Sequence, residues 1–356
     1  MMRLALPLLA LILAMSTSAA AASPAPARSR AVLRGTLKVC HSIIDCKTSD
    51  LQLVRVTGAG TVKKLGIIYS GIPDAQRLST TIVTAGSAAT GIFIVLITSP
   101  VDLNTTAVVL RVPADASSFT IAASKTVPYI NSTSLSYDLA ASCAYASTWN
   151  GTVIKISLDP TLSLTTSSAG LLYSQPNIYP LSASPIDALG QIHAAVFPLL
   201  DDPCMHVITF NTTSGTSTQS PCLNGFYNPS GPPPPVFLMA ASQPNKLLVL
   251  CDNVVGPAVG VLDHADASFS FLITNRQMGA VAFWGPDLCS WDTPNTRLHC
   301  LFNTALAANA SRAHTSASDA TWVVSSITFA EGKAQLDSSS ADIDEPPRSV
   351  VFWTYE

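Results

Sequence analysis

Asp138 in the run SYDLA and Asp187 in PIDAL stand at matching places in two short segments that read as inner strands of successive repeats. Two carboxylates facing a shared channel can divide acid and base work on a sugar, or bind a cation. Their competing use is turn stabilisation or a solvated channel lining. Asp201, Asp202, Asp252 and Asp263 lie near strand ends, where turn roles are expected. Serines are abundant, but no G-x-S-x-G elbow is present. His193, His206, His264 and His299 each stand alone in strand or turn contexts and read as structural groups. A triad built from distant residues needs only to meet in space, so the sequence leaves that option open. Gly58-Ala59-Gly60 lacks the third glycine and the following helix of a phosphate loop.

The chain has eight cysteines, and short separations point to disulfides Cys40–Cys46, Cys204–Cys222 and Cys289–Cys300, the last enclosing a loop from Ser290 to His299. Cys143 and Cys251 remain, both in apolar runs, and read as buried free thiols, with a bond between non-neighbouring blades as the alternative. Zinc is the rival use, since Cys40-His41 and His299-Cys300 set two ligand types side by side. Neighbours along a strand point to opposite faces, and neither CxxC nor HExxH occurs, so no metal and no cofactor is expected.

These groups sit in a chain that begins like an exported one. Met1-Met2-Arg3 precedes an apolar stretch from Leu4 to Met15, too short to cross a bilayer but the length of a signal core. Small residues follow, and cleavage is expected before Ser23, giving a signal peptide over 1–22 and a short leader over 23–34. Only 12% of residues are charged while 48% are hydrophobic, against a usual charged share of about 25%. Five sequons, at Asn104, Asn131, Asn150, Asn211 and Asn309, offer glycan as the missing surface polarity. With 19 basic and 22 acidic residues, nothing favours nucleic acid or an anionic membrane. The expected address is extracellular.

The elements that must position these groups are short runs rich in Val, Ile, Thr and aromatic residues, bounded by Gly, Pro, Asn and Ser, without capped helical periodicity. They repeat. A third strand is recognisable six times, as LVRVTGAG, VLRVPADAS, IKISLDPT, VITFNTTSG, VGVLDHADAS and SSITFAEGK. The markers Val54, Val109, Ile156, Ile208, Val261 and Ile327 recur at steps of about 50 residues. On these repeats, residues 35–356 resemble the β-propeller superfamily, with six four-stranded blades. The resemblance is one of architecture: Trp291-Asp292 is a single WD dipeptide, placed in a loop, and no named family's site carries over. The first repeat shows only three strands, Leu37–Ser42, Leu51–Val56 and Lys64–Ser70, so the tail Ser349–Tyr355 is expected to complete it beside Leu37–Ser42. The alternative is a tandem of β-sandwiches divided near Gly231-Pro232-Pro233-Pro234-Pro235.

Two functions follow as expectations. One is a secreted glycoprotein acting as a binding or adhesion module, with loop aromatics Tyr227, Trp284 and Trp291 meeting an extracellular protein or carbohydrate. The other is a secreted carbohydrate-active hydrolase or lyase, with Asp138 and Asp187 at the channel mouth.

Overall fold

The computed structural model describes residues 32–40, 48–56, 62–73, 81–87, 90–99, 103–113, 118–130, 132–138, 140–173, 178–184, 186–187, 189–198, 205–223, 236–240, 245–253, 256–266, 268–273, 289–292, 297–303, 322–330, 333–341 and 347–355. Within them the chain is all β, arranged as six four-stranded antiparallel sheets. The second sheet contains β4 (Thr81–Ser87), β5 (Ile92–Ser99), β6 (Asn104–Arg111) and β7 (Thr120–Pro128). The third contains β8 (Ser132–Asp138), β9 (Cys143–Thr148), β10 (Thr152–Leu158) and β11 (Leu164–Leu171). β12 (Ile178–Ala183), β13 (Gln191–Pro198), β14 (His206–Asn211) and β15 (Thr216–Gln219) form the fourth. β16 (Val236–Ala240), β17 (Lys246–Asn253), β18 (Gly256–Asp263) and β19 (Ser268–Ile273) form the fifth. The sixth is β20 (Cys289–Asp292), β21 (Arg297–Asn303), β22 (Trp322–Ala330) and β23 (Lys333–Ala341).

The first sheet joins both ends of the described chain. β1 (Val32–Cys40), β2 (Thr48–Val56) and β3 (Val62–Pro73) follow one another, and β24 (Pro347–Tyr355) pairs on the free side of β1. Tyr355 lies opposite Val32 and Pro347 opposite Val39, so the tail runs beside residues 32–39 instead of the expected 37–42. β1 also begins before the expected boundary at residue 35. All six marker residues fall on the third strand of their own sheet. The dipeptide Trp291-Asp292, read as loop, is part of β20, with Trp291 opposite Leu298.

Successive sheets stack face to face, and the alternation of side chains along the second strands shows how. Phe93, Val95 and Ile97 on β5 pack with Leu51, Leu53 and Ile68 of the first sheet. Ile94 and Leu96, pointing the other way, pack with Ala144, Ala146 and Ile156 of the third. Cys143 and Tyr145 then meet Ile192, Ala194 and Phe210 of the fourth. A strand covered on both faces needs apolar residues at every position, which is why the run IFIVLIT carries no polar alternation. The outermost strands β7, β11 and β15 are largely exposed and rich in Ser and Thr.

One local feature recurs. The residue immediately before the second strand has positive φ in four sheets: Gly91 (65°), Ser142 (48°), Gly190 (73°) and Asn245 (62°). Glycine and asparagine adopt this left-handed conformation at low cost, whereas Ser142 is held there against its preference. In three of these turns the carbonyl of that residue accepts the N–H just beyond the third strand, Val112, Thr212 and His264 respectively, at 2.7, 3.0 and 3.0 Å. The turn between the first two strands is thereby locked to the end of the third.

Candidate functional site

This locking sets up a part-buried polar cluster on the fourth sheet. Ile192 and Ala194 face the third sheet, so His193 between them points the other way, toward the fifth. Thr209 is its direct cross-strand partner on β14. His193 Nδ1 lies 3.0 Å from Thr209 Oγ1, and Nε2 lies 3.0 Å from Asp187 Oδ2. Asp187 follows β12 in the turn to β13, where its Oδ1 accepts the N–H groups of Leu189 (2.9 Å) and Gln191 (2.8 Å). The backbone of His193 is fixed as well, its N–H donating to Ser184 Oγ at 2.9 Å. Ser184 is in turn held by Ser136 of the third sheet, whose hydroxyl donates to the Ser184 carbonyl.

The protonation pattern follows from these contacts. Burial works to raise the Asp187 pKa, but the His193 hydrogen bond, the Gln191 and Leu189 N–H groups and the His193 charge outweigh it and hold the carboxyl below its usual range. An ionised carboxylate only accepts, so His193 Nε2 carries the proton in that bond, and in the neutral imidazole Nδ1 then presents its lone pair to the Thr209 hydroxyl. The chain Asp187–His193–Thr209 is thus directional. His193 is 3% exposed, while Thr209 is partly exposed.

His264, at the turn after β18, places its ring 5.3 Å from that of His193, tilted by 47°. Burial, and then the neighbouring His193, push its pKa down despite Asp263 and Asp187. Its Nε2 is buried without a hydrogen-bond partner. A neutral His264 leaves room for positive charge to develop on His193.

Internal repetition shows what this position does elsewhere. Counting from the left-handed residue, the third strand position and its cross-strand partner are Ile94 with Val109, Tyr145 with Lys155, His193 with Thr209, and Leu248 with Val261. Two of the four pairs are wholly aliphatic. The fold therefore does not require a polar pair here.

Of the two sequence-predicted carboxylates, Asp138 stands on the first strand of its sheet as expected and Asp187 does not. Asp138 ends β8 and accepts the Ala141 N–H at 3.1 Å, while Asp187 lies in the turn and not on an inner strand. Each caps its own turn, and Asp187 is drawn to His193, so the pair does not act as two facing channel acids. Asp263 holds the Ala265 N–H, the expected turn role. His206 Nδ1 is paired with the Ser220 carbonyl at 3.1 Å. Cys143 is a buried free thiol whose pKa is raised by burial, which keeps it un-nucleophilic. Cys222 is disulfide-bonded, and Cys289 lies directly opposite Cys300 on the paired strands β20 and β21, which enclose residues 290–299 between them. Of the sequons, Asn104 starts β6, Asn150 is exposed between β9 and β10, and Asn211 ends β14 with its Oδ1 bound to Thr213 and Ser214 N–H. The expected signal peptide, Tyr227, Trp284, Cys46, Cys204, Asn131, Asn309, Asp201 and Asp202 lie outside the described residues.

No family model and no curated sequence matches the chain. Solved structures do. A Lactobacillus plantarum protein superposes with a TM-score of 0.51 at 10% identity, over 91% of this chain and 100% of that one. TolB from Acinetobacter baumannii gives 0.51 at 9%, over 90% of this chain and 66% of that one. A putative 6-phosphogluconolactonase from Bacteroides uniformis gives 0.51 at 10%, over 90% and 99%. The shared architecture is the β-propeller, and with it the tandem-sandwich alternative falls away. These neighbours are bacterial, and none is described as an adhesion module. The expectation of a secreted adhesive glycoprotein gives way on that finding, and its hydrolase alternative, built on channel-mouth Asp138 and Asp187, gives way on the turn-capping geometry of the two acids.

Proposed function

We propose that the chain is an exported propeller hydrolase acting on an uncharged lactone, with Thr209 as nucleophile, His193 as base and Asp187 as orienting carboxylate. The observation that carries the reading is the directional relay Asp187–His193–Thr209, both links at 3.0 Å, built where two of the three equivalent pairs are aliphatic. A nucleophile, a base within hydrogen-bond reach and a third group orienting that base are what acyl transfer needs. The lactonase-like propeller among the neighbours supports a cyclic ester as the substrate class. The polar partners of the relay are neutral or acidic, which fits an uncharged ring better than a phosphorylated one.

In the reaction, Nδ1 of His193 takes the Thr209 proton as Oγ1 attacks the lactone carbonyl. The ring C–O bond then breaks, and its oxygen leaves with the proton from Nδ1, opening the ring onto Thr209. Water, deprotonated by the same Nδ1, cleaves the new ester, releases the hydroxy acid and restores the threonine. Asp187 holds the imidazole in the required tautomer and stabilises its positive charge. The scaffold for this reading is a six-bladed ring in which β24 completes the first blade, supported by the β1–β24 register.

A second reading is favoured by the burial of His193 and by the Asp187 turn bonds: the relay braces the fourth sheet against the fifth. One measurement separates the two. Hydrolysis of glucono-δ-lactone, followed by pH-stat above the spontaneous rate, is compared with melting temperature for Thr209→Val. Loss of turnover with an unchanged Tm supports the enzyme; no turnover by the parent protein, with a lowered Tm in the variant, supports the brace.

A further inference from the structure

At the opposite end of β9 from the Asp138 turn, a pocket of about 290 Å³ opens as a crevice between the connection that follows β7 and the β9–β10 turn of the third sheet. Tyr129 and Trp149 line it, together with Ile130, Ile154, Thr148, Asn150 and Thr152. Because first-to-second and second-to-third turns lie at opposite strand ends in an antiparallel meander, this pocket is separate from the Asp187 relay.

Both aromatic rings are among the large apolar side chains left exposed, Tyr129 at 38% and Trp149 at 40%. Neither is loosely held by its backbone. Ile130, next to Tyr129, donates its N–H to Thr105 Oγ1 at 2.8 Å, and its carbonyl accepts from Thr98 Oγ1 at 2.9 Å, two buried hydroxyls on β6 and β5. The Trp149 carbonyl accepts the Tyr173 hydroxyl at 2.8 Å. In the same turn the Thr148 hydroxyl donates to the Thr152 carbonyl at 2.7 Å, and Asn150 Oδ1 accepts the Thr152 N–H at 3.1 Å. With Oδ1 committed to the Thr152 N–H, the NH₂ group is the part of the Asn150 amide left to donate to a ligand. The turn is preorganised, and preorganisation is what a small binding site needs.

We propose that this crevice binds one neutral sugar ring, stacked between Tyr129 and Trp149 and hydrogen-bonded by the Asn150 amide. The lining residues carry no charge, which selects against phosphate, carboxylate and ammonium ligands. The volume suits a single ring and not an oligomer. A ring with an apolar C–H face and a hydroxylated edge matches flat aromatic walls interrupted by an amide and hydroxyls, whereas an aromatic ligand would leave those polar groups unpaired.

The test is titration of the full chain with methyl β-D-glucopyranoside and methyl β-D-galactopyranoside, read by tryptophan fluorescence and calorimetry, with phenol and glucose 6-phosphate as comparators. Saturable binding of at least one methyl glycoside, at about millimolar Kd, is expected, weakened about tenfold or more in Trp149→Ala. Trp149→Phe keeps a stacking face and should stay within about threefold; it also reports on folding, since the Tyr173 bond is to backbone. Binding should persist in Thr209→Val, which keeps this outcome separate from that of the relay. Absence of saturable glycoside binding by a folded parent, preferential binding of phenol or of the phosphate, or equal affinity in Trp149→Ala overturns the proposal.

Discussion

His193 on β13 and Thr209 on β14 are directly opposite each other, and their side chains meet at 3.0 Å on the face turned toward the fifth sheet. An antiparallel ladder brings a histidine and a threonine sixteen positions apart into one hydrogen bond, with Asp187 closing the other side of the ring.

If this relay performs acyl transfer, His193→Gln removes the base while retaining polar atoms in the pocket, and turnover should fall about 10²- to 10⁴-fold. Asp187→Asn should reduce it through the wrong tautomer, since an amide can donate to Nε2 and drive the proton to Nδ1. Rates measured with glucono-δ-lactone at constant pH, with circular dichroism confirming folded variants, check both.

Stability should depend on pH in two separate windows. The His264 pKa is lowered by burial, below an unfolded value of about 6.5. The unfolded chain therefore binds a proton first as pH falls through that value, and stability drops there until the folded value is passed. The depressed Asp187 pKa adds stability that is present above about 3.9 and lost as pH falls through its folded value. Urea midpoints from pH 8 to 3 should show both declines, and His264→Phe should abolish the first only.

Phe93 is 1% exposed and lies over Gly86 of the adjacent strand, within the core shared by the first and second sheets. Phe93→Ala should destabilise by about 3–5 kcal/mol, read as a shift in the denaturant midpoint. Substituting Gly86 should be comparably harmful, because an added Cβ would sit 2.2 Å from the Phe93 ring.

The opposed positions of Cys289 and Cys300 predict a cross-strand disulfide. Non-reducing peptide mapping of protein made in an oxidising compartment should recover the linked pair, while buried Cys143 should resist alkylation until the chain is unfolded.

Much of the architecture was legible because a sheet covered on both faces writes unbroken apolar runs, as at Ile92–Ser99, and because Val54, Val109 and the other markers share one strand position. The register of the tail was not, since alternating Val, Phe, Trp and Tyr in SVVFWTY satisfies more than one alignment. The relay was missed for a physical reason: His193 in QIHAAV looks like one polar interruption of an apolar strand, and Thr209 like an ordinary β-branched residue. Only the pairing of β13 with β14 makes them neighbours. Parity along the two strands was the usable signal, as both lie between residues that face the third sheet. Asp187 was singled out, but as a channel acid, because a turn that folds the carboxylate back onto the following strand leaves no distinctive spacing.

The pairing of β24 with β1 also orders events in time. The segment synthesised early, Val32–Cys40, has its partner on one side, Thr48–Val56, within moments, but its partner on the other side arrives only with residues 347–355. Until then the first sheet keeps an open hydrogen-bonding edge, a template for pairing with any extended chain nearby. Maturation is therefore gated by the slowest contact in sequence distance, and the interval before it is when such a chain is most exposed to aggregation and most in need of a holding chaperone.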